Sequence, residues 1–132
     1  MPSKEQLAYC SGLFDGEGTV LIKQYFERGY WRWRIQMEVA MVEREVIVFF
    51  QQTVGVGTVH SKVNKGFGKK LQWRWRAGHQ KALRVAELLI PYSKVKYPKL
   101  RQVVEHYGNK KFKAQHLTTD CYQANFLGHP GI

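Results

Sequence analysis

The tetrapeptide WRWR occurs twice, at 31–34 and at 73–76, 42 residues apart, each time inside a run that alternates apolar and polar residues. Side chains of an extended strand point alternately to opposite faces, so each run reads as a strand with one covered face and one open face. In "YWRWRIQMEVA" the covered set is Trp31, Trp33, Ile35, Met37 and Val39, and the open set is Tyr30, Arg32, Arg34, Gln36 and Glu38. In "LQWRWRAG", Leu71, Trp73, Trp75 and Ala77 face inward while Gln72, Arg74 and Arg76 face outward.

Each copy forms the second arm of a predicted hairpin. The first hairpin, "TVLIKQYFERGYWRWRIQMEVA", turns around Arg28–Gly29, and the second, "GTVHSKVNKGFGKKLQWRWRA", turns through Gly66–Gly68. Both begin with G-T-V, at Gly18–Val20 and Gly57–Val59, so the chain is an internal near-repeat. Helices are predicted around the hairpins. The first has Ser3 as N-cap and Gln6 three places on, a capping box. Ala8, Gly12 and Gly16 recur every fourth residue in it, a stripe of small side chains that admits another backbone, from the domain's own core or from a second copy of the helix. "EREVIVFFQQTV" reads as a helix with Val46, Phe50 and Val54 inward, closed by Gly55. "HQKALRVAELLI" places Ala82, Val85, Ala86, Leu89 and Ile90 at helical spacing and stops at Pro91. A last helix starts at Pro98 and carries Leu100, Val103, Val104 and Tyr107 up to Gly108. The expectation is an α+β domain over 1–108, a four-stranded antiparallel sheet covered by helices on one face, followed by a tail, 109–132, without an assigned structure.

With 132 residues there is room for one domain. No apolar run is long enough to span a membrane, and the N-terminus lacks a signal-peptide core, so the sequence predicts a soluble intracellular protein. Cys10 and Cys121 lack the number and spacing of a disulfide framework or zinc site. His106, His116 and His129 are spaced too irregularly for a metal site and read as surface histidines. The formal net charge is +11, and the commonest partner of such a field is a phosphate backbone.

The open face qualifies that partner. By strand parity it carries Thr19, Leu21, Lys23, Tyr25 and Glu27 on the first strand, with Arg32, Arg34, Gln36 and Glu38 on the second. The second hairpin adds Thr58, His60, Lys62 and Asn64, then Gln72, Arg74 and Arg76. Charge alone would hold phosphates. Arg, Gln and Asn interleaved are the side chains that read base edges in the major groove of duplex DNA. A solvated basic face or a ribosomal-type RNA binder is the plainer alternative, although an aromatic-stacking RNA sheet would show its rings at the centre of the open face. Glu38 reads as an acceptor from cytosine or as the partner of Arg34 in a salt bridge.

Within this positive charge lies "GLFDGEG", with Asp15 and Glu17 at the end of the first helix. Carboxylates there face the negative end of the helix dipole, so a cation, a cap or solvent must compensate. Mg²⁺ is one such compensator, since it takes one or two carboxylates together with phosphate oxygens. "CSGLFDGEG" (10–18) resembles the LAGLIDADG motif of homing endonucleases, and the α-β-β-α-β-β-α order, "VGVGTV" (54–59) and "YSKVKYPKL" resemble that family over roughly residues 4–107.

The resemblance implies a site-specific DNA endonuclease that uses Mg²⁺, with Mn²⁺ or Ca²⁺ able to replace it for binding. One motif copy implies a homodimer through the helix over 4–16, acting on a long, near-palindromic duplex. Strands of about nine residues at ~3.3 Å each cover about nine base pairs, so two subunits read about eighteen. Glu17 matches the metal-binding acid, assisted by the Gly16 carbonyl, and Asp15 matches the acid that closes the helix end. Lys96 matches the basic residue near the scissile phosphate, with Lys94 as second choice. Where the family often has a water-positioning glutamine this sequence has Met41, which leaves Arg44 as a substitute. That departure keeps open a second reading, a DNA-binding protein without cleavage or an intron maturase that binds RNA.

Overall fold

The structure, a computed structural model, describes residues 1–63 and 70–108. Asn64, the turn through Gly66–Gly68 and the tail over 109–132, with Cys121, His116 and His129, lie outside the described residues. The elements are α1 (Lys4–Glu17), β1 (Gly18–Glu27), β2 (Tyr30–Met41), α2 (Arg44–Val54), β3 (Thr58–Val63), β4 (Leu71–Gly78), α3 (Gln80–Leu89) and α4 (Tyr97–Gly108). A 3-10 turn at Ile90–Tyr92 holds Pro91, whose ring cannot continue the preceding helix. This is the α+β order the periodicity predicts. No helix among the described residues is long and apolar enough to cross a membrane.

The sheet is antiparallel in the order β1-β2-β4-β3. Arg28 and Gly29 close the first hairpin with φ of 52° and 84°, and this pair of left-handed residues matches the right-handed twist of the strands. At the centre of the sheet Gln36 pairs with Gly78, 42 residues further on, the same spacing that separates the WRWR copies. The two halves meet at that pair. Trp73 and Trp75 therefore lie opposite Met41 and Val39 at one end of the β2/β4 ladder, whereas Trp31 and Trp33 lie in the β1/β2 hairpin beyond its other end.

Below the sheet, α1 buries Cys10, Ser11 and Phe14, and the Ser11 hydroxyl donates to the Leu89 carbonyl at 3.0 Å. Phe14, Phe50 and Trp75 pack ring to ring, with centroids 6.3 and 4.7 Å apart. Trp75 is fully buried, and its indole N–H is satisfied by the Val56 carbonyl at 2.9 Å.

Four details of the predicted core differ, the first being Leu71, inward by parity yet 47% exposed at the very start of β4. In α2 the buried residues are Ile47, Phe50 and Val54, and Val46 is only half-buried. Steps of four drift about 40° around a helix each time, while the alternation of three and four stays over the sheet. His106 is a core residue, 2% exposed, with its ring 5.0 Å from that of Trp33 and 4.9 Å from that of Tyr107. It lies one turn beyond Val103 on the buried stripe of α4, where the Trp33 ring needs a cover. Trp31, on the covered face by parity, is 59% exposed and leans on Phe26, because the hairpin outruns the helices beneath it.

Candidate nucleic-acid interface and acidic centre

The register arranges the predicted binding residues as a grid on the open face. Arg32 lies opposite Tyr25, Arg34 opposite Lys23, and Gln36 opposite Leu21. Glu27 pairs with Tyr30 at the hairpin end. On the other half Gln72 lies opposite Lys62 and Arg74 opposite His60. One row, Thr19, Glu38, Arg76 and Thr58, crosses all four strands. Lys23, Arg32, Arg34 and Lys62 are exposed, as is His60, and the lysines and arginines put positive charge at both ends of the face.

Glu38 does not pair with Arg34. Its carboxylate accepts from Arg76 Nε at 3.1 Å and Nη2 at 2.8 Å, both on Oε1, and Arg74 Nε stands 3.7 Å from the same oxygen. The reason is register: Glu38 faces Arg76 across the β2/β4 ladder, while Arg34 is four residues along the same strand, about 13 Å away.

At the near end of this face α1 runs directly into β1. Gly18 ends the helix, its N–H bonded to the Phe14 carbonyl, and a Cβ there would enter the Phe14 ring. Asp15 and Glu17 then diverge in role. The Asp15 carboxylate accepts the Ser93 hydroxyl at 2.7 Å, the Lys94 amide at 2.8 Å and the Lys96 amide at 3.0 Å. Partial burial raises its pKa, and the Lys96 and Lys94 amides and the Ser93 hydroxyl outweigh that burial and hold it below the usual carboxylate value. The Lys96 ammonium donates to the Asp15 backbone carbonyl at 3.3 Å, supplying a cation at the negative end of the α1 dipole. Asp15 thus ties the 93–96 segment to α1, a role beyond closing the helix end. Nothing in the local sequence signals it, since the partners are 78 to 81 residues away.

Glu17, the last residue of α1, is exposed and makes no hydrogen bond or ion pair with the described residues. The Gly16 carbonyl belongs to the last turn, where helical carbonyls have no intrahelical donor. Both oxygens are open to a ligand. No group of three or more acidic, histidine or cysteine side chains converges among the described residues, and with Asp15 engaged by the 93–96 segment, Glu17 is the carboxylate left open at this helix end.

Met41 closes β2 on the covered face, packed against the core opposite Trp73. Arg44, in the first turn of α2, has its guanidinium carbon 5.1 Å from the centre of the Trp73 ring. Lys94 is exposed, bound to Asp15 only through its amide.

Solved structures share this architecture. The homing endonuclease I-CvuI, in complex with the I-CreI target in the presence of Mg, superposes at a TM-score of 0.66 with 19% identity, over 77% of this chain and 65% of that one. The archaeal intron-encoded homing endonuclease I-Vdi141I, complexed with DNA, gives 0.68 with 16% identity, over 88% of this chain and 74% of that one. The LAGLIDADG meganuclease I-CpaMI, bound to uncleaved DNA, gives 0.63 with 18% identity, over 89% and 40%. The chain has the LAGLIDADG homing endonuclease fold. It spans slightly less than two thirds of the I-CvuI chain. No protein-family model and no curated protein matches it. In the LAGLIDADG fold as this chain builds it, the motif over 10–18 is the last two turns of α1 and the first residue of β1. The acidic pair thereby sits at the end of the basic face.

Proposed function

We propose that this chain is a site-specific DNA endonuclease that acts as a homodimer on a long, near-palindromic duplex and depends on Mg²⁺. The observation that carries the reading is the junction of α1 and β1. It joins a sheet face of interleaved Arg, Lys, Gln and Thr to a carboxylate, Glu17, that has no partner among the described residues, and to a lysine, Lys96, that Asp15, two residues before Glu17, holds in place. Phosphate contacts and base-edge contacts both belong to such a face.

Glu17 and the Gly16 carbonyl would hold the metal. One carboxylate per chain suits Mg²⁺, which keeps several waters and would complete its shell with phosphate oxygens. When bound, the ion supplies neutralisation of phosphate charge and a nucleophilic water. Lys96 contributes a fixed positive charge near the attacked phosphate, with Asp15 and Ser93 setting its position. Arg44, three residues after Met41 in the first turn of α2, is the group that would orient water in its place. The homodimer rests on the outer face of α1. Ala8, Gly12 and Gly16 are exposed there, opposite the buried Cys10, Ser11 and Phe14, and nothing lies within 4 Å of a Cβ built on either glycine. Bare backbone of that kind admits a second helix at close range.

The test compares Glu17→Gln with the unaltered protein on duplexes recovered by binding. Retained binding with lost cleavage in Mg²⁺ supports the reading. Retained cleavage in Glu17→Gln would refute the assigned metal site, and binding to RNA in preference to duplex DNA would favour the maturase reading.

A further inference from the structure

Glu38 is the one carboxylate in the row of open-face residues that crosses all four strands, and it stands between two arginines. For a surface that only holds phosphates it is a poor choice, because it cancels one of the two positive charges at that spot. Its geometry suits another purpose. Both contacts from Arg76, at 3.1 and 2.8 Å, use Nε and Nη2, the side edge of the guanidinium. A guanidinium carries five N–H donors in a rigid plane, so the end edge formed by Nη1 and the second proton of Nη2 remains open. Neighbouring Thr19 and Thr58 are short, and Arg76 is therefore the longest side chain in its row.

We propose that Glu38 is a positioning residue that presents the end edge of Arg76 to a guanine in the major groove, at one fixed position in each half of the target. The inference rests on the duplex-DNA reading above. Guanine offers O6 and N7 side by side, and a two-pronged donor fits this pair and no other base edge. Held by Glu38, Arg76 gives up its rotamer freedom before binding, so a wrong base meets an immobile donor pair left unsatisfied. Arg74, 3.7 Å from the same carboxylate oxygen, adds a second positive charge that holds Glu38 in place. Because Thr19 follows Glu17 by two residues, the guanine lies at the end of the half-site nearest the acidic centre.

The test is a binding selection in EDTA from duplexes with symmetrically randomised half-sites, using the unaltered protein, Glu38→Gln and Arg76→Lys, with thermal unfolding as a check that each folds. The expected result is a guanine enriched about tenfold or more at one inner position of each half-site. Both variants lose enrichment at that position and keep the rest of the profile, while Glu38→Gln binds random duplex more tightly at low salt. A folded Glu38→Gln with an unchanged profile would overturn the inference, as would equal loss at every position. Recovery of no preferred sequence by the unaltered protein would instead overturn the site-specific reading on which it rests.

Discussion

Replacing Asp15 by asparagine removes one charge and reverses one donor–acceptor match in the link between α1 and the 93–96 segment. Asp15 Oδ1 accepts from Ser93 and the Lys96 amide, and Oδ2 from the Lys94 amide. Asparagine keeps an oxygen for the first two, but its amide nitrogen then faces the Lys94 N–H, donor against donor. Hydrogen bonds to a charged group contribute about 1.5–3 kcal/mol each and neutral ones about 1 kcal/mol. One bond lost and two weakened, discounted for a site half open to water, gives about 1.5–2.5 kcal/mol of destabilisation at pH 7. The pH dependence follows from the lowered pKa of Asp15. A carboxyl depressed in the folded state stabilises fully above its unfolded pKa, near 3.9, and that contribution disappears as pH falls through the folded value. Urea unfolding of both proteins across this range should therefore show a gap at neutral pH that closes in acid. A gap below about 0.5 kcal/mol at pH 7, or one that persists unchanged once Asp15 is protonated, would refute the clamp.

Trp75→Phe removes the N–H bonded to Val56 and leaves a void in a fully buried site, and chemical denaturation should register a loss of about 2–4 kcal/mol. Gly18→Ala drives a methyl into the buried Phe14 ring at the helix–strand junction; unfolding should show a cost of about 1–3 kcal/mol, and a neutral outcome would mean that Phe14 moves freely. Arg34→Gln, on the exposed end of the grid, should weaken duplex binding and flatten the slope of log affinity against log salt by roughly one phosphate's worth. Gly12→Leu fills the outer face of α1 without touching the described core, so sedimentation should report monomer and a folded domain if the stripe is the dimer contact.

Alternation by itself makes the sheet legible in the sequence. Period two over 30–39 and 71–77 assigns every side chain of β2 and β4 to a face, and the register keeps that assignment. Parity stops short of partners. It places Glu38 and Arg34 on one face but gives no offset between β2 and β4, and that offset pairs Glu38 with Arg76. The reach of the helices under the sheet is equally absent from the local pattern, so Trp31 reads as covered and His106 as open when the reverse holds. In the acidic centre, the motif already gives Glu17 the metal and Asp15 the helix end. What it does not give is the partners of Asp15, because the fold brings Ser93, Lys94 and Lys96 to it and none of the described residues to Glu17.

Whether this basic face and its acidic end cut DNA at a chosen sequence can be read from the cut ends themselves. A randomised palindromic duplex library is incubated with Mg²⁺, Ca²⁺ or EDTA, and the ends produced are sequenced. Breaks in both strands at one preferred, near-symmetric sequence are expected with Mg²⁺ and not with EDTA. Specific duplexes bound in every condition and cut in none would contradict the endonuclease reading and leave a DNA-binding protein in its place.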